Sequence, residues 1–128
     1  MACQIFNVGC DCQTIVVSLK NDALLYHSYL QGIYQRAGKV NARTSWNSSR
    51  NYTDVMAIWY NPSDWMIGPV DYLGTDVAGI STRGPGTPGT SSCPYYVPND
   101  AWKYVIDGSW INTDANDVSI ECLTGNDN

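Results

Sequence analysis

At 128 residues, 44% of them hydrophobic, the chain is long enough to bury a core as one domain and too apolar to be disordered. Its net charge of −5 and its seven scattered basic residues exclude nucleic acid, whose phosphates need clustered Lys and Arg. No stretch approaches the roughly 18 apolar residues of a membrane span.

Met1-Ala2-Cys3-Gln4 has neither the basic nor the apolar region of a signal peptide, which fits a cytosolic chain or a mature module with an added start Met. The β-branched run Gln13 to Leu19 predicts a first strand, ended by Lys20-Asn21-Asp22. Asp22 to Leu30 is the one helix candidate, capped by Asn21 or Asp22 and stopped at Gly32. Strands are expected next at Gly32 to Gln35 and at Ala42 to Trp46. Val55 to Tyr60 has the character of a buried strand, and Asn61-Pro62-Ser63-Asp64 that of a turn with Pro62 pre-set at its second position. Trp65 to Gly68 returns, so residues 55–68 predict a hairpin, and Val77 to Thr82 a further strand.

Arg83 to Ser92 has no apolar residue beyond its prolines and predicts a mobile surface loop inside the domain. Trp102 to Ile106, Trp110-Ile111 and Val118 to Cys122 follow as strands, the first two joined at Asp107-Gly108-Ser109, and 123–128 is a polar tail. The expected fold is all-β: one domain over residues 1–128, an antiparallel sandwich or barrel of about seven to nine short strands, with at most one short helix near 22–31. Its core should include Ile15, Val17, Ile33, Ile58, Ile67, Ile80, Val105 and Ile120.

Five cysteines carry a compartment signal. Cys3, Cys10 and Cys12 cluster early, Cys93 and Cys122 late, with no paired Cys-x-x-Cys or His ligands for zinc. First and last strands of a compact β domain often pair, so Cys122 should bond to one of Cys3, Cys10 or Cys12, and Cys93 to another. A bridge between Cys10 and Cys12 is too strained, and one early thiol is left over. The sequons at Asn47 and Asn51 fit a glycosylated surface loop, and together these features predict an extracellular protein.

The ordered landmarks are Gly32-Ile33-Tyr34, Val40 to Trp46, Ala57 to Tyr60, Trp65 to Gly68, Ala78-Gly79-Ile80, Cys93-Pro94, Trp102-Lys103-Tyr104, Ser109-Trp110 and Val118 to Cys122. This order resembles small β-rich modules of multidomain extracellular animal proteins, often from marine invertebrates, which begin with Gly-x-Tyr and Asn-Gly-Arg-x-x-Trp or Tyr. Ala42 stands where those modules carry Gly, a residue suited to positive φ, so the loop is expected to differ here. The resemblance spans roughly residues 13 to 122 and implies a secreted β module; it transfers no activity and no catalytic residues.

The residues themselves argue against catalysis. The sole histidine, His27, between Tyr26 and Ser28, is expected to be a half-buried packing residue, which leaves no Ser-His-Asp or Cys-His set. All acids but Glu121 are Asp, and Asp64, Asp71, Asp76 and Asp107 lie among turn residues. Asn112, Asp114, Asn116 and Asp117 form a candidate calcium loop, though an Asx-turn loop explains the same residues; no other cofactor is implied.

Five Trp and nine Tyr against a single Phe point to binding, because indole and phenol carry polar groups suited to rims and interfaces. The favoured reading is a non-catalytic extracellular binding module whose partner is a carbohydrate or glycoconjugate, or else another extracellular protein. It would stack sugars on Trp59, Tyr60 and Trp65 beside Asp64 at the central hairpin, and on Trp102, Tyr104 and Trp110 at the later one. Trp59 and Tyr60 face opposite sides of their strand, so one of them should be core. The alternative is a self-assembling subunit of an extracellular matrix, adhesive or filament, joined through aromatic and cysteine contacts.

Overall fold

The computed structural model describes residues 10–48, 55–84 and 93–123. Cys3, Asn51, residues 85–92 of the expected loop and residues 124–128 of the tail lie outside the described residues. The fold is all-β, as the strand pattern predicts. Among the described residues nine antiparallel strands form one curled sheet, a half-barrel, with one short α-helix and several 3-10 turns. The strands are β1 (Thr14–Leu19), β2 (Gly32–Val40), β3 (Arg43–Ser48), β4 (Met56–Tyr60) and β5 (Trp65–Pro69), followed by β6 (Ile80–Thr82), β7 (Trp102–Ile106), β8 (Ser109–Asn112) and β9 (Val118–Cys122). Each of the first eight pairs with its sequence neighbours, and β9 returns to pair with β1, leaving β8 and β9 as the edges.

Cross-strand register builds the core. Trp46, Ile58, Ile67, Ile80 and Tyr104 lie opposite one another on five successive strands, and all are buried. On the other side Ile15 and Val17 face Cys122 and Ile120 of β9. Helix α1 (Asn21–His27) and the 3-10 turn Ser28–Leu30 add Ala23 and Leu30 to this core, and the segment after Cys93 adds Val97 and Ala101. Lys20, not Asn21 or Asp22, is the residue at the helix N-cap, and it offers no side-chain bond; Asn21 Nδ2 donates instead to Asp117 Oδ1 at 3.0 Å.

The expected hairpin over 55–68 is present as β4 and β5, and here both faces of the sheet are covered. Ala57, Trp59 and Met66 form a second cluster on the outer face with Val40, Val70 and Ala78 packed against them. Gly68 permits this, since a Cβ there would lie 3.0 Å from Ala78 Cα. The strand expected at 77–82 is shorter, Ile80–Thr82, and Ala78 before it packs against the outer-face cluster. Ile33 and Val105 depart from the expected core. Ile33 pairs with Val16 and Val105 with Trp110 on outer-face positions that nothing covers fully, and Ile33 is 44% exposed.

The early and late cysteines pair as expected. Cys10 bonds to Cys93 and Cys12 to Cys122, with Cα–Cα distances of 5.5 and 5.9 Å. The β1–β9 ladder places Ile15 opposite Cys122, which brings Cys12 within reach. No helix among the described residues is long and apolar enough to cross a membrane.

Candidate functional site

The proposed platform of indoles is used up by packing. Trp59, Trp65 and Trp102 are fully buried, and Tyr104 nearly so. Trp59 is the fully buried member of its pair, but on the outer face, where its Nε1–H donates to Thr75 O at 2.9 Å; Tyr60 points the other way and packs against the main core. Trp65 stands edge-on to Tyr60 with centroids 5.3 Å apart, and tilted against Trp46 at 6.1 Å. Trp102 Nε1 is buried without a hydrogen-bond partner. Asp64 is buried as well; its carboxylate accepts from Thr82 Oγ1 at 2.7 Å and Ser63 Oγ at 3.1 Å, so it braces the turn.

Two of the six aromatic platform residues retain access to solvent. Tyr60 is half-buried, with the Arg43 guanidinium 3.8 Å above its ring centre. Trp110, at 39% exposure on β8, has Lys103 Nζ 4.8 Å from its ring centre. The two hairpins therefore do not merge into one ring surface.

The calcium candidates are occupied within their loop. Asn116 N–H donates to Asp114 Oδ1 at 2.9 Å and Asp114 N–H to Asp117 Oδ2 at 3.1 Å, an Asx-type arrangement, while Asn112 belongs to β8. No group of three metal-ligating His, Cys, Asp or Glu side chains occurs among the described residues. Asn47 lies in β3, not in a surface loop, paired to Gln35 and Ala57 with its Oδ1 buried and unbonded.

A different concave site is open. A groove of about 330 Å³ runs beside the start of β4 and the end of β5, floored by Val55, Met56, Pro69 and Val70. Tyr29 and Tyr72 line it together with Asp71, and the two tyrosines are 40% and 46% exposed. Its elements come from distant parts of the chain: Tyr29 from the 3-10 turn after α1, Asp71 and Tyr72 from a 3-10 turn that directly follows β5. Val70 N–H donating to Val55 O at 2.9 Å ties the floor together.

His27 orients the Tyr29 wall. Its buried imidazole bonds Val105 O through Nε2 at 2.6 Å, and a carbonyl can only accept, so Nε2 carries the proton. In the neutral ring Nδ1 is then the acceptor for the Tyr29 hydroxyl at 3.0 Å. Gly79 allows this close packing, because a Cβ there would lie 3.0 Å from both His27 Nδ1 and Leu30 Cδ1. Burial raises the Tyr29 pKa above its ordinary value, so the phenol stays protonated and able to donate. The expected packing role of His27 thus includes a polar duty that its sequence neighbours do not reveal.

Nothing in the sequence pattern signals this groove. Asp71 carries the features of a turn acid and Tyr29 those of a helix residue, and no spacing links position 29 to 72. No protein-family model, curated protein or solved structure matches the chain.

Proposed function

We propose that the chain is a non-catalytic extracellular binding module that takes a neutral carbohydrate in the Tyr29–Tyr72 groove. The observation that carries this reading is the pairing of two half-exposed tyrosines with the Asp71 carboxylate around an apolar floor. Phenol rings stack on the C–H faces of pyranoses, and a carboxylate accepts from sugar hydroxyls. A volume of about 330 Å³ lies at the small end of ligand pockets, enough for one or two sugar rings. Asp71 and the net charge of −5 select against anionic sugars. Tyr29, fixed through His27, costs little entropy on binding because it is already oriented. The two long-range disulfides fit an oxidising compartment, where glycans are displayed.

Titration of the labelled protein with neutral mono- and disaccharides, followed by NMR, is the test. Saturable shifts should centre on Val70 to Tyr72 and Tyr29. Tyr72→Ala should weaken binding about tenfold or more, equivalent to about 1.4 kcal/mol. Shifts that leave the groove untouched, or binding indifferent to both Tyr72→Ala and Asp71→Asn, would refute the assignment.

A further inference from the structure

The buried row that crosses the sheet through Trp46, Ile58, Ile67, Ile80 and Tyr104 continues to Ile111, the partner of Tyr104 on β8, and stops there. Ile111 is 40% exposed, and it ends the row at an open edge. Thr113 N–H donates to Trp102 O at 3.0 Å, which sets the alternation of the β7–β8 ladder. The backbone groups of Ser109 and Ile111 therefore face β7, while those of Trp110 and Asn112 face away from it. Among the described residues nothing bonds to those outward groups.

The two edges of the sheet differ. Ser109–Asn112 contains no charge and no proline, the features that usually protect an exposed edge. In contrast, β9 carries Glu121, is bonded through Cys122, and lies against the 3-10 turns Pro94–Tyr96 and Asn99–Ala101.

We propose that β8 is an interface between two copies of this chain, paired antiparallel about a two-fold axis at Ile111. In this register Trp110 meets Asn112 of the second copy, and Asn112 meets its Trp110, each pair exchanging two N–H···O bonds. Every outward group of the strand is then satisfied. Ile111 faces its own counterpart across the axis, so the core row runs on into the second molecule. Charge is compatible with this register. Asp107 falls opposite Ala115 and Asp114 opposite Gly108, so no acid opposes an acid in a chain of net charge −5. A slip of one residue would set Asp107 against Asp114 and pair an outward-facing residue with an inward-facing one. The symmetric pairing is isologous and closes on itself as a dimer, which leaves both Tyr29–Tyr72 grooves outside the contact strand.

Sedimentation equilibrium on the Cys3→Ser chain tests this without interference from an intermolecular disulfide through the fifth cysteine. A reversible dimer is expected, with a nuclear Overhauser contact between Ile111 methyls of differently labelled copies. Ile111→Lys should weaken it about tenfold or more by placing charge against charge at the axis. Asn112→Pro should do the same by removing an N–H used only between copies, while its own hairpin stays intact. Unchanged circular dichroism of the Pro variant, and melting that matches the parent chain at concentrations where both are monomeric, establish that folding is not the cause. A chain that is monomeric at about 100 µM, or a dimer that survives both substitutions, overturns the proposal.

Discussion

The β2–β3 and β7–β8 hairpins turn in the same way with different chemistry. Both use two central residues with positive φ: Asn41 and Ala42 at 52° and 69°, Asp107 and Gly108 at 50° and 82°. This is the turn that matches the twist of the flanking strands, and it favours Asn or Asp followed by Gly. The second hairpin has that sequence and stands free, with nothing within 4 Å of where a Gly108 Cβ would be. The first places alanine in the left-handed region, at a cost of about 1–2 kcal/mol. Three contacts hold it there. Asn41 Nδ2 donates to Tyr60 O at 2.9 Å and to Gly74 O at 3.1 Å, and the next residue, Arg43, stacks on Tyr60. A turn can thus be set by its own residues or imposed by its neighbours, and the two kinds respond differently to substitution.

The largest effect should come from beneath the clamped hairpin. Ile58 is fully buried opposite Trp46, and Ile58→Ala should cost about 2–5 kcal/mol in urea unfolding. Both hairpins should melt in that one transition; separate melting would mean that they belong to independent units. Next, Asn41→Ala removes both bonds to the neighbouring turns and leaves two alanines at positive φ, for an expected loss of about 1–3 kcal/mol. An effect no larger than that of an ordinary surface change would show that the clamp is not what holds the turn. The smallest effects form a reciprocal pair. Gly108→Ala should destabilise by about 1 kcal/mol through backbone strain alone, and Ala42→Gly should stabilise by a similar or smaller amount. Thermal melts of the two variants decide this, and equal signs would end the comparison.

The same division between local and imposed structure explains how much of the protein can be read in advance. The strand runs, the Asn61 to Asp64 turn, the Asp107-Gly108 turn and the early-to-late cysteine pairing are legible because each depends on nearby residue types or on the pairing of terminal strands. The positive φ at Ala42 is not, since its cause lies at Tyr60 and Gly74. The burial of the indoles is not legible for a related reason. An indole N–H can find its acceptor inside the protein, as Trp46 and Trp59 do at Cys12 O and Thr75 O, and Trp102 is buried even with its Nε1 unbonded. Composition cannot distinguish an indole satisfied in this way from one presented to a ligand.

By itself the sequence determined the all-β class, most strand positions, the central hairpin and the partners available to the late cysteines. Those features follow from side-chain alternation, turn chemistry and chain entropy, which act over short or topologically simple distances. Only the tertiary structure decided which faces of the sheet are covered, which aromatics remain accessible and that Tyr29 and Tyr72 share a groove. Alternation divides a strand into two faces but does not say which one another segment will cover; at β4 and β5 both are covered, at Ile33 and Val105 the outer face is not. That choice depends on where the chain returns after β5 and after α1, and only the packing of the whole domain settles it.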